Sequence, residues 1–487
     1  ALKRGNNAPP PPECLSLIKD EFVDASLIAH SIFRTAEALV NGQPLPPALE
    51  DFWSRRPPKV RNWQGGPLIA PGQDFTDGAV DVICRLECST LCIQGPPGSG
   101  KTYTAAKAIA ELIHQGRRVG ITSNSHKAIA HLMDKVALEC TRRGDALAAV
   151  KLQSRPEDFH VQSPLIQAMV GKPFFDSGAA AGFSLIGGTA WVFSNPGAVG
   201  MLDYLFVDEA GQVSIANLAG MAPSSSNLVL IGDQMQLAQP LQGTHPGESG
   251  QSILQYILQD KQVIPDDFGV FLGTSWRMHP HVCSFISGAV YEDRLYPHAS
   301  TVDRVLKLPA AAGVAPPPSV LRPSGILYVP VAHEGNSQDS DEEVEAIVQI
   351  VADLRKCAIS DGTKARRLVL DDILVVAPYN MQVRRLRAAL PGAKVGTVDK
   401  FQGQEAPVVI VSMCSSSGDA SPRGLEFIFS KNRLNVAISR AQTLSIVVGS
   451  PALARTHCHR VEQMELVNLF CRIVDGGTFS PRATAVH

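Results

Sequence analysis

Strong charge of either sign is missing from this chain. Its 44 Lys and Arg nearly balance 46 Asp and Glu, leaving a formal −2 over 487 residues. No global basic field is therefore available, and any nucleic acid must be gripped by a local groove of placed Lys, Arg and backbone N–H groups. Long apolar runs are missing as well. None reaches the ~20 residues of a membrane span, and no signal-peptide pattern opens the chain. These absences predict a cytoplasmic protein with no membrane partner. A Cys-x-x-Cys pair is also missing. The ten cysteines are scattered without a disulfide framework, which suits a reducing compartment. Cys84, Cys88 and Cys92 fall at i, i+4, i+8. They read either as three thiols on one helix face or as small apolar residues leading into a buried strand, and the want of a fourth ligand favours the second.

What is present is ordinary for a soluble globular protein, with 45% hydrophobic and 18% charged residues. The length suggests roughly two to four domains able to bury large cores without disulfides or metals. No internal repeat appears by period. Residues 1–70 form a preamble. Pro9 to Pro12 make a short polyproline spacer, Cys14 to about Val40 has helical periodicity, and Pro44 to Pro58 is loop-like. The opening Ala1-Leu2-Lys3 is compatible with a fragment or a processed product.

From about residue 71 strands alternate with helices. Leu91–Gln94, Arg118–Thr122, Leu202–Val207 and Leu228–Ile231 read as strands, with helices over Ala105–Ile113 and from the Thr122–His126 segment through Met133. A second series begins near Phe271, with strands at Ile326–Val329, Ile373–Ala377, Val408–Met413 and Leu444–Val448. Ser340 and Glu343 have capping-box spacing before the helix Val344–Leu354, and Pro309–Pro323 is a loop. Such alternation predicts an α/β fold of parallel sheets covered by helices.

Gly95-Pro96-Pro97-Gly98-Ser99-Gly100-Lys101-Thr102 fits the phosphate-loop pattern, between an apolar strand and a helix as the motif requires. Successive backbone N–H groups and a helix N-terminus make a concave anion site. Lys101 is placed to reach the β and γ phosphates of a nucleotide, and the Thr102 hydroxyl to hold Mg²⁺. Tyr204–Val207 is an apolar strand running into Asp208 and Glu209. Asp208 suits the Mg²⁺ shell, and Glu209 suits activation of the attacking water. Taken alone, such an acidic pair is equally a solvated strand cap.

At Asp208-Glu209-Ala210-Gly211-Gln212 the chain resembles superfamily 1 helicases. The likeness continues through Gly232-Asp233-Gln234-Met235-Gln236-Leu237 and Ser275-Trp276-Arg277-Met278-His279-Pro280. It extends to Thr397-Val398-Asp399-Lys400-Phe401-Gln402-Gly403-Gln404-Glu405 and Asn435-Val436-Ala437-Ile438-Ser439-Arg440-Ala441. These resemble motifs II to VI in order. They are most similar to the branch of the nonsense-mediated-decay helicase and the lagging-strand replication helicase-nuclease, and to the helicase part of bacterial RecB-type nuclease–helicase fusions.

The resemblance implies two tandem RecA-like domains, about residues 71–270 and 271–487, with ATP and Mg²⁺ between them. It implies Gln236 as γ-phosphate sensor, Arg277 and Arg440 as arginine fingers, Trp276 stacked on the adenine, and Glu405 touching the nucleotide from across the cleft. It also implies single-stranded nucleic acid, DNA ahead of RNA, gripped by Ser123, Asn124, Thr189, Pro378, Tyr379 and Thr397, with Lys400 a further candidate. Ser125 reads equally as a helix N-cap. The implied activity is an ATP-hydrolysing helicase moving 5′ to 3′. The competing classes are a nucleic-acid-stimulated ATPase that remodels complexes without unwinding, and a P-loop kinase or GTPase.

Three departures stand out. The adenine-reading glutamine aligns ambiguously with Gln73 or Thr76. Pro240 lies one residue later than the third motif leads one to expect. The preamble is short for the family's accessory β-barrel. No nuclease constellation of carboxylates and a lysine is evident, so a nuclease is expected in another domain or partner.

Overall fold

The computed structural model describes residues 24–153, 155–170, 174–175, 177–238, 245–308, 322–401, 403–418 and 421–477. The polyproline spacer, the start of the first helical stretch, Pro240, Gln402 and nearly all of Pro309–Pro323 lie outside them.

Two parallel sheets dominate. The first contains β1 (Thr90–Gln94), β2 (Val119–Thr122), β3 (Ala149–Gln153), β4 (Ile166–Val170), β5 (Leu185–Gly187), β6 (Leu202–Val207), β7 (Ser225–Gly232) and β8 (Gly269–Phe271). Their order is β4-β3-β5-β2-β6-β7-β1-β8, with every pairing parallel. Two short strands, β9 (Thr274–Ser275) and β10 (Tyr296–Pro297), pair beside it. A small antiparallel sheet joins β11 (Val305–Lys307), β13 (Ala358–Ser360) and β14 (Ala365–Arg367). The second parallel sheet holds β12 (Gly325–Pro330), β15 (Ile373–Val376), β16 (Lys394–Gly396), β17 (Ala406–Ser412) and β18 (Ala441–Gly449), in the order β12-β18-β17-β15-β16. The inner strands β1 and β15 are buried along their whole length, as parallel strands covered on both faces must be.

The helices explain several differences from the sequence expectations. The loop expected over Pro44–Pro58 contains α2 (Pro47–Trp53), following α1 (Ser26–Val40). Pro47 at the first helical position suits an N-terminus, and Leu49 and Phe52 are buried. α3 (Phe75–Cys84) is capped by Asp74, whose carboxylate accepts from Thr76 N and Asp77 N. Cys84 ends that helix, Cys88 sits in a turn at φ 46° and Cys92 lies in β1, so the three thiols share no helix face. α4 (Lys101–His114) is followed by Gly116 at φ 76°. α5 (His126–Arg143) continues ten residues past Met133, because Val136, Ala137 and Cys140 extend its buried stripe until Gly144 stops it at φ 78°.

In the second half, α6 (Pro280–Val290), α7 (Asp341–Leu354), α8 (Asn380–Ala389), α9 (Lys431–Ile438) and α10 (Val461–Gly477) cover the sheet. Ser340 caps α7 by accepting from Glu343 N at 3.2 Å, but the expected reciprocal bond is absent. Ser340 N donates instead to Gln382 Oε1 at 3.0 Å. The fully buried Glu343 carboxylate turns inward to Ser412 Oγ at 2.6 Å, Cys414 N at 3.0 Å and His333 Nε2 at 3.0 Å.

The halves are not separate packing units. One apolar cluster runs from Ile28, Phe52 and Leu254 through Phe271 and Tyr291 to Val409 and Phe470. Residues 24–70 join the first sheet, for example through Ser31 Oγ donating to Gly220 O at 2.8 Å. β8 spans the expected 270/271 boundary while pairing with β1. Among the described residues no helix is long and apolar enough to cross a membrane.

Candidate functional site

The loop after β1 is built for close approach. Gly98 and Gly100 sit at φ 75° and 82°, conformations glycine adopts without a Cβ penalty. Gly100 is the N-cap of α4, so the helix starts at Lys101 with its N-terminal N–H groups turned to the loop. A Cβ on Gly95 would meet Lys101 Cγ at 2.2 Å. Lys101 Nζ donates to Gly95 O at 2.6 Å. Pro96, Pro97, Ser99 and Thr102 complete the loop, and the Ser99 hydroxyl is buried with no partner. This concave, donor-rich arrangement is suited to a polyphosphate.

β6 ends beside this loop. Asp208 N donates to Thr122 O at 2.9 Å, and Glu209 takes a left-handed φ of 54°, a strained setting typical of functional turns. Burial of the Asp208 carboxyl, reinforced by neighbouring Glu209, pushes it up to about 7. The side chain keeps an exposed edge toward the cleft, but the carboxyl is deep enough for desolvation to dominate. At the end of β7, Gln236 Nε2 donates to the buried Asp233 at 2.8 Å.

The second half reaches this surface from the opposite side. Ser275 Oγ donates to Pro97 O at 3.3 Å, and Trp276 N donates to Gly98 O at 2.9 Å. A Cβ built on Gly98 would lie 2.4 Å from Arg277 Cβ, so only glycine admits Arg277 there. Arg277 Nε donates to Glu405 at 2.5 Å. Burial works to raise the Glu405 carboxyl, but Arg277 and Gln442 overcome it and hold it below the usual range. Arg440 lies just before β18, 4% exposed. Its Nη1 donates to Gln404 O at 2.8 Å and its Nε has no partner. Burial, with Arg277 nearby, brings this guanidinium down to about 10. Trp276 is half exposed and stacked on His298, ring centroids 3.6 Å apart.

Together these groups line one cleft of about 1210 Å³, which includes Lys101, Thr102, Asp208, Glu209, Gln236, Trp276, Arg277, Glu405 and Arg440. The residues expected to meet nucleotide therefore converge. Neither Gln73 nor Thr76 lines the cleft. Thr76 instead meets Thr104 on α4 at 3.5 Å, and Gln73 accepts from Ala70 N at 3.4 Å.

The expected nucleic-acid residues are less uniform. Asn124 is exposed at the end of β2, and its amide donates to Gln212 O, which ties this loop to the turn after Glu209. Ser123 is buried, and Ser125 caps α5 by accepting from Ala128 N at 3.4 Å. Thr189 is the half-buried N-cap position of a short helix, Ala190–Phe193, and makes no side-chain cap. Pro378 and Thr397 are half-buried at the carboxyl ends of β15 and β16. Tyr379 turns its ring inward. It is 6% exposed, packs on Phe427 and bonds Ser421 Oγ at 2.7 Å, because the ring completes the core beneath that edge.

Sequence reasoning missed the polar contacts behind Gln236. Asn432 Nδ2 donates to Gln234 O at 2.9 Å, and Asn435 Nδ2 donates to Met235 O at 2.8 Å. Two asparagines spaced i, i+3 on a helix that also buries Leu434, Val436 and Ile438 were the available signal, since buried amides need partners.

Comparison with known proteins supplies the lineage. Two family profiles, each described as an AAA domain, match residues 77–246 and 250–452. The chain is similar to the DNA replication ATP-dependent helicase/nuclease JHS1 of Arabidopsis thaliana, 26% identical over 374 residues, covering 74% of this chain and 27% of that protein. It is also similar to the RNA helicase Mov10l1 of Mus musculus, 27% identical over 450 residues, covering 82% of this chain and 36% of that protein. A solved structure of arterivirus nonstructural protein 10, a helicase, with DNA covers 78% of this chain and 63% of its own, at 15% identity and a TM-score of 0.41. The chain thus spans about a quarter to a third of the length of these two curated relatives.

Proposed function

As the chain belongs to the superfamily 1 helicases, we propose that it is an ATP-driven motor that moves along single-stranded nucleic acid and separates duplex. The observation that carries this is the meeting of Arg277 with Gly98 across the cleft, with Arg440 lining the same space. A site completed by both halves of the chain ties nucleotide turnover to their relative movement. A self-contained P-loop kinase or GTPase has no need of that second arginine-bearing wall.

Lys101 and the loop N–H groups hold the β and γ phosphates. Thr102 and Asp208 form the place for Mg²⁺, and the fit rests on Asp208, a largely desolvated carboxyl that lines the cleft beside a second carboxylate, Glu209. Mg²⁺ would supply neutralisation of phosphate charge. Glu209 orients and deprotonates the attacking water. Gln236 sits against the terminal phosphate. Arg277 exchanges Glu405 for phosphate oxygen, and Arg440 brings a poorly satisfied charge to the same place. Trp276 offers its ring to the base in place of His298.

The strand path runs over Asn124, Thr189, Pro378 and Thr397, with DNA ahead of RNA and movement from 5′ to 3′. JHS1 is named for DNA replication and Mov10l1 for RNA, so the polymer is the first thing to measure. Any nuclease belongs to a partner or another domain. The competing reading is a motor that remodels complexes without unwinding. ATP turnover with single-stranded DNA, single-stranded RNA and no polymer, followed by strand displacement, tests both. No stimulation by either polymer defeats the proposal, and stimulation without displacement selects the competing reading.

A further inference from the structure

Tyr291 stands outside every motif considered above, yet its side chain bridges the two walls of the cleft. It caps α6 with no exposure, its N–H donating to Ser287 O at 2.8 Å, and its ring lies 6.2 Å from that of Phe271. Its hydroxyl is 2.6 Å from Asp233 Oδ2 and 2.9 Å from Asn435 Nδ2. A phenol has one proton to give. Asn435 Nδ2 is a donor, so the tyrosine accepts from it and gives its own proton to Asp233. The same Oδ2 accepts from Gln236 Nε2 at 2.8 Å. A continuous run therefore passes from Gln236 through Asp233 and Tyr291 to Asn435 on α9, and α9 ends one residue before the Ser439–Arg440 pair.

We propose that Tyr291 is a positioning residue of the ATPase, whose hydroxyl holds the Gln236 amide in register with the helix that leads into Arg440. This rests on the ATPase reading given above. The backbone around Gln236 already rides on α9, because Asn432 donates to Gln234 O and Gln236 O, and Asn435 to Met235 O. Tyr291 adds the side chain to that linkage. With its nitrogen committed to Asp233, Gln236 offers the cleft its oxygen, an acceptor suited to a hydrogen of the attacking water. Losing the phenol frees the carboxylate to turn, and the amide with it, while the shape of the core is kept.

Tyr291→Phe is the test, read by ATP turnover with saturating single-stranded polymer. The expected result is a fall in kcat of roughly ten- to hundredfold, the scale of one lost hydrogen bond to a charged group, with KM for ATP changed by less than about twofold. Tyr328→Phe is the control. That tyrosine is also buried and bonds Gly449 O at 2.8 Å, away from the cleft, so it should lower the thermal midpoint without a comparable loss of kcat. Combining Tyr291→Phe with Gln236→Ala should cost no more than Gln236→Ala alone, since the tyrosine acts through that amide. Should Tyr291→Phe not fold, Asn435→Leu breaks the run from its other end and enters the same cycle. Unchanged kcat, or losses that multiply in the double variant, would overturn the inference. A wild-type protein that does not hydrolyse ATP would instead defeat the ATPase reading and leave Tyr291 without a reaction to position.

Discussion

Replacing Arg440 by Met separates the cost of holding this charge from its use. The side chain is 4% exposed, its Nε is unpartnered, and burial lowers its proton affinity to about 10. A drop of that size is worth about 3 kcal/mol against the charged form. Because the charged form is the disfavoured one, the cost is fully present below about 10 and fades only as the folded-state guanidinium loses its proton above that value. Around neutral pH it is constant. Methionine removes it, keeps most of the volume, and gives up the bond to Gln404 O, worth about 1.5–3 kcal/mol. The two nearly cancel, so the nucleotide-free stability of Arg440→Met should stay within about 2 kcal/mol of wild type. Turnover is another matter, since removing an arginine finger costs ~10³–10⁵ in rate, or about 4–7 kcal/mol. The assay pairs nucleotide-free thermal melting across neutral pH with steady-state ATP hydrolysis. A large fall in melting temperature, or turnover within about tenfold of wild type, would refute the view that Arg440 is held under-satisfied for the phosphoryl group.

Lys101→Ala should abolish ATP turnover, whereas Glu209→Gln should retain nucleotide binding by fluorescence titration and hydrolyse poorly; near-normal turnover in Glu209→Gln removes it as the base. Glu343→Ala should destabilise the second sheet by about 3–5 kcal/mol, because it strands His333 and Ser412 in a fully buried site. That loss should appear in chemical denaturation followed by hydrogen exchange at β17. Unwinding should prefer a duplex with a 5′ single-stranded tail, and preference for a 3′ tail contradicts the direction. Incubation with single-stranded or duplex DNA and Mg²⁺ or Mn²⁺ should leave it uncut; cleavage that co-purifies with Lys101→Ala protein points to a second active site.

Much of the cleft was legible because its groups announce themselves locally. A glycine-rich loop between an apolar strand and a helix, and an apolar strand ending in Asp208-Glu209, each carry their chemistry within a few residues. The parallel strands were legible for the same reason, being short Val, Ile and Leu runs. β3 escaped notice because Lys151 interrupts its apolar pattern, although that lysine is buried and donates to Asp158 O. The inward turn of Glu343 was equally hidden, since its spacing from Ser340 fits a capping box while its real partners are about 70 residues away at Ser412 and Cys414. The inward ring of Tyr379 was not legible either, because strand-end position does not reveal which way a ring faces. Asp233 lay within a recognised motif, but the tyrosine that engages it comes 58 residues later, and no local pattern encodes such a meeting.

The asparagine contacts from α9 to residues 234–236 constrain how the cleft can work as a machine. They lie beside Gln236, where side chains of the second half are bonded to main chain of the first. Any opening that keeps them is a rotation about that point, not a parting of two bodies. Displacement then grows with distance from the pivot. Trp276, half exposed and bonded through its N–H to Gly98 O, is a second tie, so a wider mouth requires that bond to break while the asparagine contacts hold. A hinge arranged this way would let nucleotide exchange without disassembling the groups proposed to act on the terminal phosphate.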